Sequence, residues 1–436
     1  QPEHQIYEFE NLEELRQFDP RYQNHSDNTA LELVSQVFEV PENGVVEIKA
    51  SRIAPQYSEV MYGRKVYPVY LVGGEPMEMA FDGNEDNWNR KFSGGAKAIN
   101  DYLSSSISLF ESSYFSDNEE KLSENTKKLL EKNWKNLERK GLPEDFVAVE
   151  KERLRYEAYG SWYSYRMNHR WMTGDETFEP GEAYYKTLRE LAKERKNLVG
   201  MMAYYNYVRR SIATLVSKGV EELSPNDLIR REVKYIVENY KDSILVEELM
   251  HDFVYEYILE YGLKGQEDLV ELYKKNVKSA AKLMLFEQMC NTWLSLCPGT
   301  PSPVFNLPDA NGKMMSLEAM RGKFVYIDLW ASWCGPCHRE IPFLKRLEKK
   351  FAGKNIVFVG ISCDTDKEAW LKAMQNEGLD GIQLYMGDDL VFAKAYMVSN
   401  LPRFILVDPE GNIVEAYMTA PSNPETEERL QKLFLI

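Results

Sequence analysis

The sequence predicts a multidomain protein in three parts: a small antiparallel β unit over residues 1–97, a mainly α-helical region over 98–296, and a C-terminal α/β domain over 297–436. Three observations predict it. The hydrophobic period shifts from that of a strand to that of a helix near residue 98. The stretch "CPGTPSPVF" then sets three prolines and a glycine into residues 298–303, which ends the preceding helix and reads as a linker. Beyond it, strand-like and helix-like runs alternate, the pattern of a sheet packed between helices. A length of 436 residues suits this division, since a domain takes roughly 150.

In the first part, "VFEVPENGVVEIKA" places a Pro-Glu-Asn-Gly turn between two β-branched runs, and in "GEPMEMAF" Met77, Met79 and Phe81 alternate with Glu78 and Ala80. In the second, "LSENTKKLLEKNWKNLERKG" carries Leu122, Leu129, Leu130, Trp134 and Leu137 at helical spacing and stops at Gly141, with Pro143 beyond. "RYEAYGSWYSYRMNHRW" and "MMAYYNYVRR" concentrate Tyr and Trp. Aromatics at this spacing read as core with hydroxyls reaching water, in preference to a ligand surface. In the third part "KFVYIDLW" and "NIVFVGIS" are strand-like, and residues 335–351 between them are amphipathic. "KEAWLKAMQNEG" is helical, "RFILVD" and "NIVEAYM" flank an Asp-Pro-Glu-Gly turn, and "EERLQKLF" closes with a helix.

With 44% hydrophobic and 28% charged residues the composition is that of globular protein. No apolar run approaches the roughly 18 residues of a membrane span. The net charge of −16 is uneven, with −13 before Cys297 and −3 from it onward. Such a front part repels phosphate backbones, which excludes nucleic acid as a partner and leaves a solvated acidic face.

Chemistry concentrates in "WASWCGPCHRE", residues 330–340, where two of the five cysteines stand two residues apart. C-x-x-C serves redox dithiols, zinc sites and haem attachment alike. A closed zinc site needs four ligands, yet there is no second C-x-x-C, and His4, His25, His169 and His251 are scattered. At a strand-to-helix junction the free N–H groups and dipole of the helix favour a thiolate, drawing its pKa below about 8.5. Cys334 is then the nucleophile and Cys337 the resolving thiol. Asp328, on the apolar strand, points to the face opposite Ile327 and Leu329, where it meets either water or the core. If buried, its carboxyl is pushed up toward neutrality, and it serves as general base for Cys337.

"VYIDLWASWCGPCHREIPFLKRL", with "NLPRFILVDPEGNIV" some sixty residues on, resembles the thioredoxin-like fold, and within it the extracytoplasmic TlpA/ResA-type thiol-disulfide oxidoreductases of the AhpC/TSA superfamily. The resemblance runs from Pro301 to the end. It implies that Cys334 and Cys337 form a redox-active disulfide, that Asp328 is the buried acid, and that Pro402 is a cis-proline facing the dithiol. Trp333, Pro336, Leu401 and Pro402 become the client contacts, although Leu401 departs from the commoner Thr or Ile. "YLVGGEPMEMAF" followed by "KFSGGAKAINDYL" is similar to the N-terminal extensions of TlpA-like proteins from Bacteroidetes. The family context implies a periplasmic protein, free or held by a lipid anchor outside the given chain, that needs no cofactor or metal.

Gly-Pro between the cysteines resembles thioredoxin, at about −270 mV, more than the oxidant DsbA, at about −120 mV. Electron flow is therefore expected toward disulfides of client proteins, with a DsbD- or CcdA-type membrane thiol reductase restoring the dithiol. Two rival readings exist. A thiol peroxidase of the peroxiredoxin type carries P-x-x-x-[ST]-x-x-C, but Ile327 and Ala331 stand where Pro and Thr belong. A binding protein would use the helical region to recruit a partner to the redox domain, and the intact dithiol and Asp328 argue against a mere remnant. "CGPCH" also satisfies the haem signature, but the thioredoxin context makes His338 an ordinary solvent-facing helix residue. Cys290 and Cys297 lie about 10 Å apart along a continuous helix, so a bridge requires the helix to stop between them. Cys363 reads as a small buried filler.

Overall fold

The computed structural model describes residue 46 and residues 56–62, 65–74, 76–82, 89–105, 107 and 109–434. The chain forms two compact units, one comprising 1–250 with 276–280 and the other 251–275 with 281–436. The turn and strands expected over 37–50 lie outside the described residues, Val46 apart.

In the first unit β1 (Gln56–Tyr62) pairs antiparallel with β2 (Lys65–Leu71), and β3 (Met77–Asp82) with β4 (Asn89–Gly94). Gly94 has a φ of +76°, and a Cβ there would collide with the Pro76 carbonyl, so the turn out of β4 requires glycine. In α1 (Lys97–Leu103) the buried Asn100 accepts from Tyr70 N at 2.7 Å and donates to Tyr70 O at 2.9 Å, satisfying the edge of β2 as a neighbouring strand would. Helices α2 (Glu119–Glu138), α3 (Glu144–Ala158), α4 (Tyr165–Thr173), α5 (Glu182–Ala192), α6 (Met202–Val216), α7 (Pro225–Asn239) and α8 (Ser243–Met250) follow. α2 begins where the Asn118 side chain accepts from Lys121 N at 3.0 Å, and it buries the expected stripe of Leu122, Leu130 and Leu137. Tyr156, Trp162, Tyr165, Tyr204 and Tyr207 are core, whereas Trp171 faces solvent. Glu150 on α3 is fully buried. It accepts from Tyr57 Oη at 2.5 Å, Tyr102 Oη at 2.9 Å and the Arg153 guanidinium at 2.6 Å. A carboxylate too costly to bury alone thus becomes a joint among β1, α1 and α3.

The second unit holds α9 (Glu256–Tyr261), α10 (Glu267–Asn276), α11 (Ala280–Ser295) and the α/β domain. After a short hairpin of β5 (Asn306–Pro308) and β6 (Met314–Ser316) come β7 (Phe324–Trp330), α12 (Gly335–Lys350), β8 (Ile356–Ser362), α13 (Lys367–Glu377), β9 (Ile382–Tyr385), α14 (Val391–Ala395), β10 (Arg403–Val407), β11 (Ile413–Met418) and α15 (Pro424–Lys432). The sheet order is β11-β10-β7-β8-β9. β7, β8 and β9 run parallel, and β10 is antiparallel to both β7 and β11. β7 is central and is buried from Val325 to Trp330, as an apolar run covered on both faces must be. Its last residue leads directly into the turn that carries the dithiol.

The helices just before the proline-rich stretch pack with the α/β domain, so the compact unit begins ahead of residue 297. Gly262, at φ +83°, lets the chain pass the Trp293 ring, which lies 3.3 Å from where a Cβ would sit. Arg403, at the start of β10 and 2% exposed, donates from Nη2 to Glu260 O at 3.2 Å and lies 4.2 Å over the Tyr417 ring. Cys290 and Cys297 are free, because α11 continues past Cys290 to Ser295 and keeps the two thiols on a helical path.

Candidate active site

The dithiol sits where β7 ends and α12 begins. Cys334 is the N-cap of α12, in extended conformation, and its Sγ accepts the Cys337 N–H at 3.2 Å. Pro336 occupies the first turn, where its missing N–H costs nothing. Cys334 and Cys337 are disulfide-bonded with their Cα atoms 5.3 Å apart. In this oxidised state both are buried, at 4% and 3% exposure, so access alone does not distinguish them. What stands out into solvent is the neighbour Trp333, 70% exposed, with Gly335 and Pro336 beside it.

The Leu401–Pro402 peptide bond is cis, and Leu401 packs against the group formed by Trp330, Ala331, Cys334, Cys337 and Trp370. The loop before β10 therefore closes one side of the dithiol. The site residues named from sequence fall into two places. Trp333, Cys334, Pro336 and Cys337 share one turn, and Leu401 packs against the cluster that holds the two cysteines. Asp328 lies deeper, on β7.

Asp328 is 8% exposed, and its Oδ1 has no hydrogen-bond partner among the described residues. Burial pushes its carboxyl up to about 7, with the charges of Glu340 and Glu348 adding to the rise. Across the sheet it is in register with Phe404 on one side and Gly360 on the other, and Gly360 pairs in turn with Gln383. The Gln383 side chain fills the space a Cβ on Gly360 would take. Its Oε1 is likewise buried and unpartnered. The sheet thus places an orphaned amide oxygen and an orphaned carboxyl oxygen two strands apart, with only glycine between them.

His338 departs from the solvent-facing role expected of it. Its Nδ1 is 2.9 Å from Glu377 Oε1 and its Nε2 is 2.9 Å from the Ser332 carbonyl, so the ring bridges the end of α13 and the turn before Cys334. On the other side of that turn the buried Asp364 accepts from Ser332 N at 2.9 Å and from Ser332 Oγ at 2.6 Å. Ser362 Oγ supports the same carboxylate at 2.7 Å. Glu340, three residues after Cys337, accepts from Ser422 N at 2.9 Å and Ser422 Oγ at 2.8 Å. Glu377, Asp364, Ser362 and Ser422 were not marked by sequence, since each lies tens of residues from the motif. Cys363 is half-buried and its thiol is pushed up to about 12, chiefly by burial. Among the described residues no group of three or more His, Cys, Asp and Glu side chains converges to hold a metal ion.

A helix-capping cysteine, its disulfide partner one turn on, a buried acid on the central strand and a cis-proline loop against the pair define a thioredoxin-like oxidoreductase. The Redoxin family model matches residues 298–433. The thiol-disulfide oxidoreductase ResA of Bacillus subtilis is 32% identical over 121 residues, 28% of this chain and 67% of ResA. The thioredoxin-like protein YneN of the same species is 26% identical over 147 residues, 34% of this chain and 86% of YneN. The solution structure of a Bacteroides vulgatus thiol-disulfide oxidoreductase is 51% identical, covering 32% of this chain and 93% of that one, with a TM-score of 0.30. The protein belongs to the TlpA/ResA-type thiol-disulfide oxidoreductases.

Proposed function

We propose that the protein is an extracytoplasmic reductase of protein disulfides in which Cys334 attacks and Cys337 resolves. The observation that carries this reading is the hydrogen bond from Cys337 N to Cys334 Sγ at the start of α12. A backbone donor and the helix dipole both favour negative charge on Cys334, which is what a leaving group and a nucleophile require. In the reduced protein the Cys334 thiolate attacks one sulfur of a client disulfide, forming a mixed disulfide and releasing the other client sulfur as a thiolate. Cys337, once deprotonated, attacks Cys334 Sγ, which closes the 334–337 disulfide and releases the second client sulfur. Two electrons pass to the client. Asp328, with its carboxyl near 7, takes the Cys337 proton directly or through a water. The exposed Trp333 and Pro336, with Leu401 and Pro402, supply the client contacts.

The extracytoplasmic setting follows the resemblance of the motif to exported family members. A reductase there needs electrons from across the membrane, which assigns re-reduction of the disulfide to a DsbD- or CcdA-type carrier. The reduced full-length chain should reduce insulin disulfides, and its 334–337 couple should poise nearer about −270 mV than about −120 mV. No insulin reduction, or a potential above about −150 mV, would replace the reductase reading with an oxidant one.

A further inference from the structure

We infer that His338 is a positioning residue for the attacking thiol: as an imidazolium it pins the turn before Cys334 to the end of α13 and favours the Cys334 thiolate. This rests on the reading of Cys334 as the nucleophile. The geometry is specific. Both partners of the ring, the Glu377 carboxylate and the Ser332 carbonyl, are acceptors, and each is 2.9 Å from a ring nitrogen. A neutral imidazole has one N–H to give, so both bonds exist together only when the ring carries two protons.

The bridge acts on a short, fully held turn. Ser332, two residues before Cys334, has its N–H and Oγ on Asp364 and its carbonyl on His338, so all of its polar groups are fixed. The Trp330 ring stands edge-on to the imidazole, with centroids 6.4 Å apart, at the end of β7. His338 is four residues beyond Cys334 on the same helix, its N–H bonded to Cys334 O at 3.2 Å, so its charge lies one turn from the reactive end. The charged groups that bear on the ring are Glu377 from α13 and Asp364 from the segment after β8, and Lys345 of α12 donates to the Glu377 carbonyl. The Ser332 carbonyl and Glu377 together hold the imidazole above its ordinary 6.5. As pH rises through that raised value the ring loses a proton, one bridge must break, and the positive charge beside the thiolate disappears.

The test is the pH profile of iodoacetamide alkylation at Cys334 in the reduced full-length chain, localised by fragment mass spectrometry, for wild type, His338→Gln and His338→Arg. The wild type should show a second inflection above pH 6.5, besides that of the thiol. His338→Gln should lose that inflection and slow alkylation at pH 6 by roughly three- to tenfold, the effect of half a unit to one unit in thiol pKa. His338→Arg keeps the charge without titrating, so it should restore the rate at pH 6 and leave no second inflection. An unchanged profile in His338→Gln overturns the inference, as does an arginine variant no better than glutamine. Failure of the wild type to reduce insulin, with the His338-dependent profile intact, removes the client reading and leaves this one standing.

Discussion

At the scale of single residues, Asp328 makes the sharpest claim. Its folded carboxyl sits near 7, well above the ordinary 3.8, mainly because burial disfavours the charge. A group raised in this way contributes most to stability below its unfolded pKa, and that contribution is lost as pH rises from about 4 to about 7. Asp328→Asn removes the titration. The variant should therefore gain on wild type as pH rises through that window, reaching about 4 kcal/mol above the window, at pH 8, measured by denaturant unfolding. It should also reduce insulin at least about tenfold more slowly near pH 7, with the deficit shrinking at higher pH where Cys337 ionises unaided. Unchanged rates at pH 6 to 7 would leave Asp328 a buried acid without a part in resolution. Burial of Asp328 was one of two outcomes legible from the alternation of β7, because a carboxyl between Ile327 and Leu329 has only two faces to choose from. The part played by His338 was not legible, since Glu377 lies 39 residues from it and meets it only after α13 has packed against α12.

At the scale of elements, the short β5, β6, β9 and α14, the last without a side-chain cap, escaped the reading. By contrast β7, α12, β8, α13, β10, β11 and α15 were legible from periodicity, because these strands are apolar and each of these helices starts at a side-chain cap. Asp366 illustrates this: its carboxylate accepts from Glu368 N at 2.9 Å and Ala369 N at 3.2 Å, and Gly378 in the left-handed conformation ends the same helix. What periodicity could not show is that α9 and α11 pack with this domain. The join runs through Arg403, Tyr417, Glu260 and Trp293, residues spread over more than a hundred positions. Burial draws the Arg403 guanidinium down to about 10, and its Nη1 has no partner among the described residues. Its ionic character therefore contributes less than its bulk. Arg403→Ala should destabilise the second unit by about 2–4 kcal/mol through a cavity and a deserted Glu260 carbonyl. Arg403→Met, which refills the volume, should recover at least half of that loss, as followed by chemical denaturation. Equal loss in both variants would make the charge, not the packing, the cause.

At the scale of the whole molecule, a five-stranded sheet delivers one reactive turn, and the described residues of the first unit add no strand to it. The change of period near residue 98 was legible because β4 ends at Gly94 and α1 begins at Lys97. The central claim is that Cys334 attacks and Cys337 resolves, and the most direct measurement is mixed-disulfide trapping with the full-length chain. Cys337→Ser should accumulate covalent, dithiothreitol-sensitive complexes with disulfide-bearing proteins, because attack proceeds and release does not. Cys334→Ser should accumulate none. Complexes that form with Cys334→Ser and are absent with Cys337→Ser would contradict the assignment and place the nucleophile one turn inside the helix.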